Sequence, residues 1–231
     1  DEWARKRIRN EPLVEVTQVK GTSETHPVLS PADEWADFEI MPYRVATTLA
    51  SEPKGSYARE ALLDGLSLAE KGITNAYQFG LVGATDTHVG ASSLDESNFF
   101  SKVGLLDADG ARRGSVPMSE GEVEIVRSAG RVNIQEIDGN EYATGAYETW
   151  SASGLTGVWA EENTREALYS ALRRKEVFAT SGPRIKIRLF AGYDYEESDG
   201  LADRYAKGVP MGAELHGADG RAPVLVASAL R

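Results

Sequence analysis

The chain has no cysteine among its 231 residues. That absence removes thiol nucleophiles, zinc–thiolate centres and disulfides, and it leaves the redox compartment open, because a cysteine-free chain survives in either. Histidine is nearly as scarce. Only His26, His88 and His216 occur, so any imidazole chemistry rests on one of three side chains. Positive charge is in deficit: 25 Lys and Arg against 36 Asp and Glu give a net charge of −11. A surface of that sign offers no phosphate-neutralising stripe, which speaks against nucleic acid and anionic membranes as partners. It still leaves room for one positive cleft that accepts a small anionic substrate. Long apolar runs are missing as well, and none approaches the roughly 20 residues of a membrane span. Hydrophobic residues nonetheless make up 41% of the chain, enough for a core of its own in one large domain or one domain and part of another. Both ends read as cut, since the chain opens at Asp1 without Met and closes in the apolar "APVLVASALR". The expected whole is a longer protein.

Along the chain, "DEWARKRIRN" resembles the tail of a helix, and "PLVEVTQVKG" (12–21) reads as a strand rich in β-branched residues that stops at Gly. "SPADEWADFE" opens with Ser30 as N-cap and Pro31 behind it, which predicts a short helix carrying Trp35 and Phe38. "SYAREALLDGLSLAEKG" (56–72) repeats apolar residues at helical spacing and ends on Lys71-Gly72. A second strand follows at about 78–84. Strand, helix, strand in that order is a βαβ unit with parallel strands. Regular pattern fades from about 91 to 161, an elaborated insertion where Phe99, Phe100, Tyr142, Tyr147, Trp150 and Trp159 are expected mainly to fill the core beneath it. "NTREALYSALRRKE" is an amphipathic helix with Asn163 as cap and Glu166 in capping-box position. After the Ser181-Gly182-Pro183 turn, alternation of Ile185, Ile187 and Leu189 with basic residues marks an antiparallel, half-exposed strand. Residues 183–231 therefore read as the start of a β-rich, sandwich-like module.

The chemistry concentrates in "FGLVGATDTHVG" (79–90), where an apolar run ends on Asp86-Thr87-His88. On extended backbone, residues two apart point the same way, so Asp86 and His88 are expected to converge. A carboxylate and an imidazole are ligands that zinc, manganese and iron accept together. The pattern is echoed upstream. "GTSETH" (21–26) and "GATDTH" (83–88) share Gly, a small residue, Ser or Thr, an acid, Thr and His. If the two preceding strands are parallel neighbours, Glu24 and His26 join Asp86 and His88 at one carboxyl edge, where α/β folds place their ligands. Lys20, at the same edge, and Arg184, after the "TSGP" turn, are the candidates for meeting an anionic substrate.

The segments "LVEVTQVKG…SETHP", "FGLVGATDTHVG" and "REALYSALRRKEVFATSGPRIKI" together resemble the polymerase-and-histidinol-phosphatase superfamily, most closely a bacterial branch catalogued as a domain of unknown function. The resemblance implies the C-terminal part of a distorted, seven-stranded β/α (TIM-like) barrel over 1–182. It also implies divalent metal ions (zinc, manganese or iron) held in part by an Asp-x-His motif that Asp86 and His88 match. The superfamily's opening His-x-His, its middle His and Glu and its His-Pro loop are absent here, and would lie before Asp1. Glu15 matches a glutamate on the preceding strand without a ligand role being carried over. The implied function is metal-dependent hydrolysis of a phosphate ester by the full-length protein, with Asp86 as catalytic carboxylate and this stretch alone inactive. Two other readings stand beside it: hydrolysis of a different bond, such as an amide, and a non-catalytic module that binds a glycan or protein partner and keeps a vestigial or structural metal site.

Overall fold

The computed structural model describes residues 1–44, 47, 49–88, 110–111, 114, 116–130, 133–144, 154–218 and 220–231. Helix α1 (Glu2–Asn10) leads into β1 (Leu13–Gln18), which turns at Val19-Lys20 into the two-residue β2 (Gly21–Thr22). Then come α2 (Ala58–Glu70), β3 (Gly80–Gly83), α3 (Glu120–Ala129) and the β4 (Asn133–Ile137)–β5 (Asn140–Thr144) hairpin. The order closes with β6 (Thr156–Val158), α4 (Arg165–Arg174), β7 (Val177–Ala179), β8 (Lys186–Gly192), α5 (Leu201–Lys207), β9 (Gly208–Pro210) and β10 (Val224–Leu230).

The expected βαβ unit is present. β1 and β3 pair in parallel, Leu13 opposite Gly80 and Thr17 opposite Gly83, with α2 between them in sequence. β7 lies against the far side of β3. A Cβ on Gly80 would meet Val177 and one on Gly83 would meet the Thr180 carbonyl, so β7 runs in the same sense as β3. The carboxyl ends of β1, β3 and β7 therefore share one edge.

The barrel expectation is corrected. Among the described residues the strands form two three-stranded and two two-stranded sheets, ordered β2-β1-β3, β10-β8-β9, β4-β5 and β6-β7, and none closes. Two local reversals stop the parallel run. On one side the chain folds back as β2, which pairs antiparallel with β1 and occupies the edge where a further parallel strand would sit. On the other, β7 pairs antiparallel with β6. The molecule is a mixed α/β module of small sheets. The C-terminal strand expected after Gly182 is β8, flanked by β9 and β10, both antiparallel to it.

Other local differences have physical causes. The stretch after Ser30 forms successive turns instead of a helix, through Asp33 N–H to Ser30 O, Ala36 N–H to Asp33 O and Phe38 N–H to Trp35 O. Asp33 Oδ1 takes the Trp35 N–H at 3.0 Å, as an acid at a turn does. The cap of α4 is Thr164, whose Oγ1 accepts from Ala167 N–H, and not Asn163. α5 went unforeseen because its acidic leader reads as a turn; Gly200 caps it, with Asp203 accepting the Gly200 N–H. The capping-box signal at Ser119 and Glu122 settles "SEGEVEIVRSAG" as α3, whose Val123 packs with Met118 and Ala143 of the β4–β5 hairpin in a small separate core. Phe99, Phe100, Tyr147, Trp150 and a large part of the expected insertion lie outside the described residues.

The C-terminal sheet is tied to the rest by polar and aromatic contacts. Trp159 Nε1 donates to Ile187 O at 2.8 Å while its ring carries the Arg188 guanidinium at 3.8 Å. The Tyr205 hydroxyl donates to Glu176, an acid that is only 5% exposed, and the Tyr205 ring packs edge-on against buried Phe190. Burial and the Glu176 carboxylate push the Tyr205 phenol up to about 12. Its raised folded-state pKa means that this stabilisation is complete below pH 10 and is lost as pH rises from 10 towards 12. Tyr205→Phe is expected to lower stability by about 1 kcal/mol at pH 7, from the lost hydrogen bond to a buried acid. Urea unfolding of the two proteins at pH 7 and pH 11 should show the difference shrinking at the higher pH.

Candidate active site at the carboxyl edge

The shared edge is closed by threonine hydroxyls. Thr17 Oγ1 donates to Thr180 O at 2.7 Å, Thr156 Oγ1 to Gly83 O at 2.6 Å, and Thr180 Oγ1 accepts Leu155 N–H at 2.8 Å. These bonds satisfy carbonyls and amides at strand ends that no ladder reaches. Gly154 fits beside them because it has no side chain; a Cβ there would stand 1.9 Å from both Thr17 Oγ1 and Thr180 O.

Asp86 and His88 leave this edge. The expected route, extended backbone, is not the one taken. β3 ends at Gly83, and Asp86 (φ 54°) and His88 (φ 60°) both adopt the left-handed conformation. That region costs roughly 1 kcal/mol or more for a residue with a Cβ, although Asp and His tolerate it better than most. The side chains still converge, with His88 Nε2–H donating to Asp86 Oδ1 at 2.6 Å. Thr87 between them is buried at 4% exposure, while the His88 side chain is 58% exposed. Two left-handed residues flanking a buried threonine bring together an exposed imidazole and an acid whose side chain is 23% exposed.

Glu24 and His26 go elsewhere. The β1–β2 hairpin sends the chain back along β1, with Ser23 N–H bonded to Val16 O at 2.6 Å. Gly21 (φ 101°) allows that reversal, since a Cβ there would sit 1.9 Å from Glu39 O. Glu24 instead meets Arg59 of α2 at 2.5 Å, and the same guanidinium holds Asp33 at 2.6 Å. His26 Nδ1 accepts Val28 N–H at 3.1 Å, and its ring lies 5.4 Å from that of Tyr57. Both are occupied in anchoring the loop over α2, so the echo "SETH" and "TDTH" does not become one cluster. Among the described residues no three His, Asp or Glu side chains gather as a metal site would need. Among the described residues, the pair Asp86 and His88 would offer a divalent ion two donors together.

Lys20 does belong to this edge. It sits at the tip of the β1–β2 turn and donates to Ser23 Oγ at 2.8 Å. Desolvation lowers its pKa from the ordinary lysine value, against the pull of the Glu15 and Asp86 carboxylates. Arg184 folds back on its own turn, with Nη1 donating to Gly182 O at 3.1 Å and Thr180 Oγ1 at 3.4 Å, at the carboxyl end of β7. His216 lies in an exposed turn where its carbonyl accepts the Tyr193 hydroxyl at 3.0 Å. Sequence reasoning missed Arg59 and Tyr57, whose roles depend on α2 packing against the returning loop. It also missed a cleft of about 660 Å³ on the face of β1, β3 and β7, lined among others by Trp35, Phe38, Phe79, Leu81 and Phe178.

These features define a mixed α/β module with an acid–imidazole pair at its parallel-strand edge. The chain belongs to the family described as protein of unknown function (DUF3604), whose family model matches residues 1–231. The resemblance to the polymerase-and-histidinol-phosphatase superfamily is thereby corrected: the family found along the whole chain is DUF3604, and no model of that superfamily matches. No curated protein and no solved structure matches the chain. In the described residues no helix is long and apolar enough to cross a membrane.

The Arg59 bridge makes a direct prediction. Hydrogen bonds from Arg59 and from Trp35 N–H hold the Asp33 carboxyl below the usual carboxylate range. A depressed folded-state pKa contributes stability above the ordinary carboxylate pKa and loses it as pH falls through the folded value. In Arg59→Met, carbon-detected NMR titration should find Asp33 returned upward, and the acid-unfolding midpoint should move to higher pH.

Proposed function

We propose that the protein is a metal-dependent hydrolase of phosphate esters, in which this chain supplies the Asp86–His88 pair to the metal site. The observation that carries the reading is the pair itself, an acid and an imidazole 2.6 Å apart on two left-handed residues at the carboxyl edge of parallel strands. Unfavourable backbone geometry that brings two ligand-type side chains together is the kind of feature that accumulates at functional sites. When bound, a divalent ion would supply Lewis acidity, bringing the pKa of water towards neutrality and offsetting phosphoryl charge. Asp86 and His88 would hold it by exchanging their mutual hydrogen bond for ligation. Thr87, buried beneath them, fixes the direction in which both project. Lys20, half-buried and drawn by Asp86, would hold the ester's anionic oxygens with a charge that desolvation makes more effective. Arg184, bonded to its own turn at the carboxyl end of β7, is the second cation of this edge.

A second reading is a binding module that keeps the pair for structure only. The apolar cleft of about 660 Å³ favours it, because a pocket of that size and character suits ligand capture without chemistry. Metal content separates the two. The intact protein should retain Mn²⁺ or Zn²⁺ after gel filtration and hydrolyse p-nitrophenyl phosphate. Asp86→Asn and His88→Gln should lose the metal, and the rate should fall by about 100-fold or more, the scale of several kcal/mol of charge stabilisation. Equal metal content and equal rates in wild type and variants would refute the hydrolase reading.

A further inference from the structure

A second, smaller cleft lies between the β1–β2 hairpin and the segment leading into α2. It encloses about 320 Å³ and is lined by Lys20, Thr22, Ser23, Met41, Tyr43, Arg44, Ser51, Glu52, Ser56 and Tyr57. That volume stands at the lower end of ligand pockets, which run from about 300 to 1,000 Å³, so it suits one small molecule. Its chemistry differs sharply from that of the apolar cleft. Three serines, one threonine and two tyrosines are among its lining residues, and a hydroxyl both donates and accepts.

The charges are unequal. Arg44 is matched by Glu52 across the mouth, and its Nε donates to Ala50 O at 3.3 Å. Among the described residues Lys20 has no ion-pair partner within contact distance; it is bonded to the neutral Ser23 Oγ, with the Glu15 and Asp86 carboxylates acting on it from farther off. Of the ionisable side chains that line the cleft, Lys20 and Arg44 are cationic and Glu52 is anionic, so the lining itself carries one positive charge in excess. The cost of holding that ammonium half out of water is offset when an anion arrives. Two aromatic residues also line it, Tyr43, which is 48% exposed, and Tyr57, which is 9% exposed. The loop carrying Tyr43 and Arg44 is held in place by the Tyr43–Ala50 bridge and by Ser51 N–H to Pro42 O at 2.9 Å.

We infer that this cleft is a subsite for a phosphorylated monosaccharide, with Lys20 meeting the phosphate, the serine and tyrosine hydroxyls meeting the sugar hydroxyls, and the Tyr43 ring lying against its C–H face. Lys20 bridges the two sites. It lines the cleft and sits in the turn that follows β1, whose Thr17 lies opposite Gly83 at the end of β3, the strand that leads to Asp86 and His88. The inference rests on the hydrolase reading for what becomes of the ester, but binding is measurable without turnover.

Isothermal titration calorimetry of the intact protein in EDTA, with glucose 6-phosphate, glucose and orthophosphate as separate probes, tests it apart from any metal chemistry. Glucose 6-phosphate should bind saturably and more tightly than either fragment, and Lys20→Met should weaken it about tenfold or more, the effect of one charge-assisted hydrogen bond. Arg44→Gln, on the exposed loop, should weaken it in the same direction and serves if Lys20→Met does not fold. Absence of saturable binding to wild type, or affinity unchanged in both variants, would overturn the subsite. Orthophosphate binding as tightly as the sugar phosphate would overturn the sugar assignment. Loss of phosphatase activity in the Asp86 variant bears only on the hydrolase reading.

Discussion

The architecture depends on how three parallel strand ends are closed without a barrel around them. At the carboxyl ends of β1, β3 and β7 the ladders stop, and threonine hydroxyls take over the orphaned backbone groups. Thr17 reaches Thr180 O at 2.7 Å and Thr156 reaches Gly83 O at 2.6 Å. Thr17 and Thr180 are each less than a tenth exposed, so a backbone group left unpaired there would cost about 1–3 kcal/mol. The closure fixes where β3 ends, and therefore where Ala84 to His88 begin. The hydroxyl-to-carbonyl bonds a few residues upstream thus fix the point from which the acid–imidazole pair departs.

From that closure the functional geometry follows. The chain needs two left-handed residues to bring Asp86 and His88 together, with Thr87 buried between them. Lys20 enters from the neighbouring hairpin because β1 and β3 are parallel and end side by side. The same hairpin reversal that brings Lys20 in takes Glu24 and His26 out, to Arg59 and Tyr57 on α2. One tight turn therefore decides which of two similar motifs stands at the edge and which anchors a loop. The apolar cleft and the hydroxyl-lined cleft lie on different surfaces of this one βαβ unit, and both are lined by Thr22.

Much of this was legible in the residues. Valines in "LVEVTQV" and the apolar run before Ala84 specify β1 and β3, and the helix between them specifies that they are parallel. Helical spacing specifies α2 and α4, and the Asp86–His88 pair stands out as an acid and an imidazole after an apolar strand. The illegible parts share a cause. Whether β1 is followed by a further parallel strand or by a hairpin depends on Gly21 taking φ 101° against Glu39 O, a tertiary contact. The barrel expectation failed on that reversal and on the antiparallel pairing of β6 with β7. The echo of "SETH" in "TDTH" was real as a pattern and misleading as geometry, since equal spacing implies equal placement only if both segments continue off their strands. Convergence of Asp86 with His88 was expected for the wrong reason: the extended backbone invoked for it is absent, and left-handed residues supply it.

We propose Asp86 and His88, at the edge shared by β1, β3 and β7, as the metal-ligand pair, while Glu24 and His26 are bonded within the loop over α2. Anomalous diffraction from crystals soaked in Mn²⁺ reads this directly. The account predicts a peak within bonding distance of Asp86 and His88 and none at Glu24 or His26. A peak on the Glu24–His26 loop, or no peak beside Asp86 at saturating Mn²⁺, would contradict it.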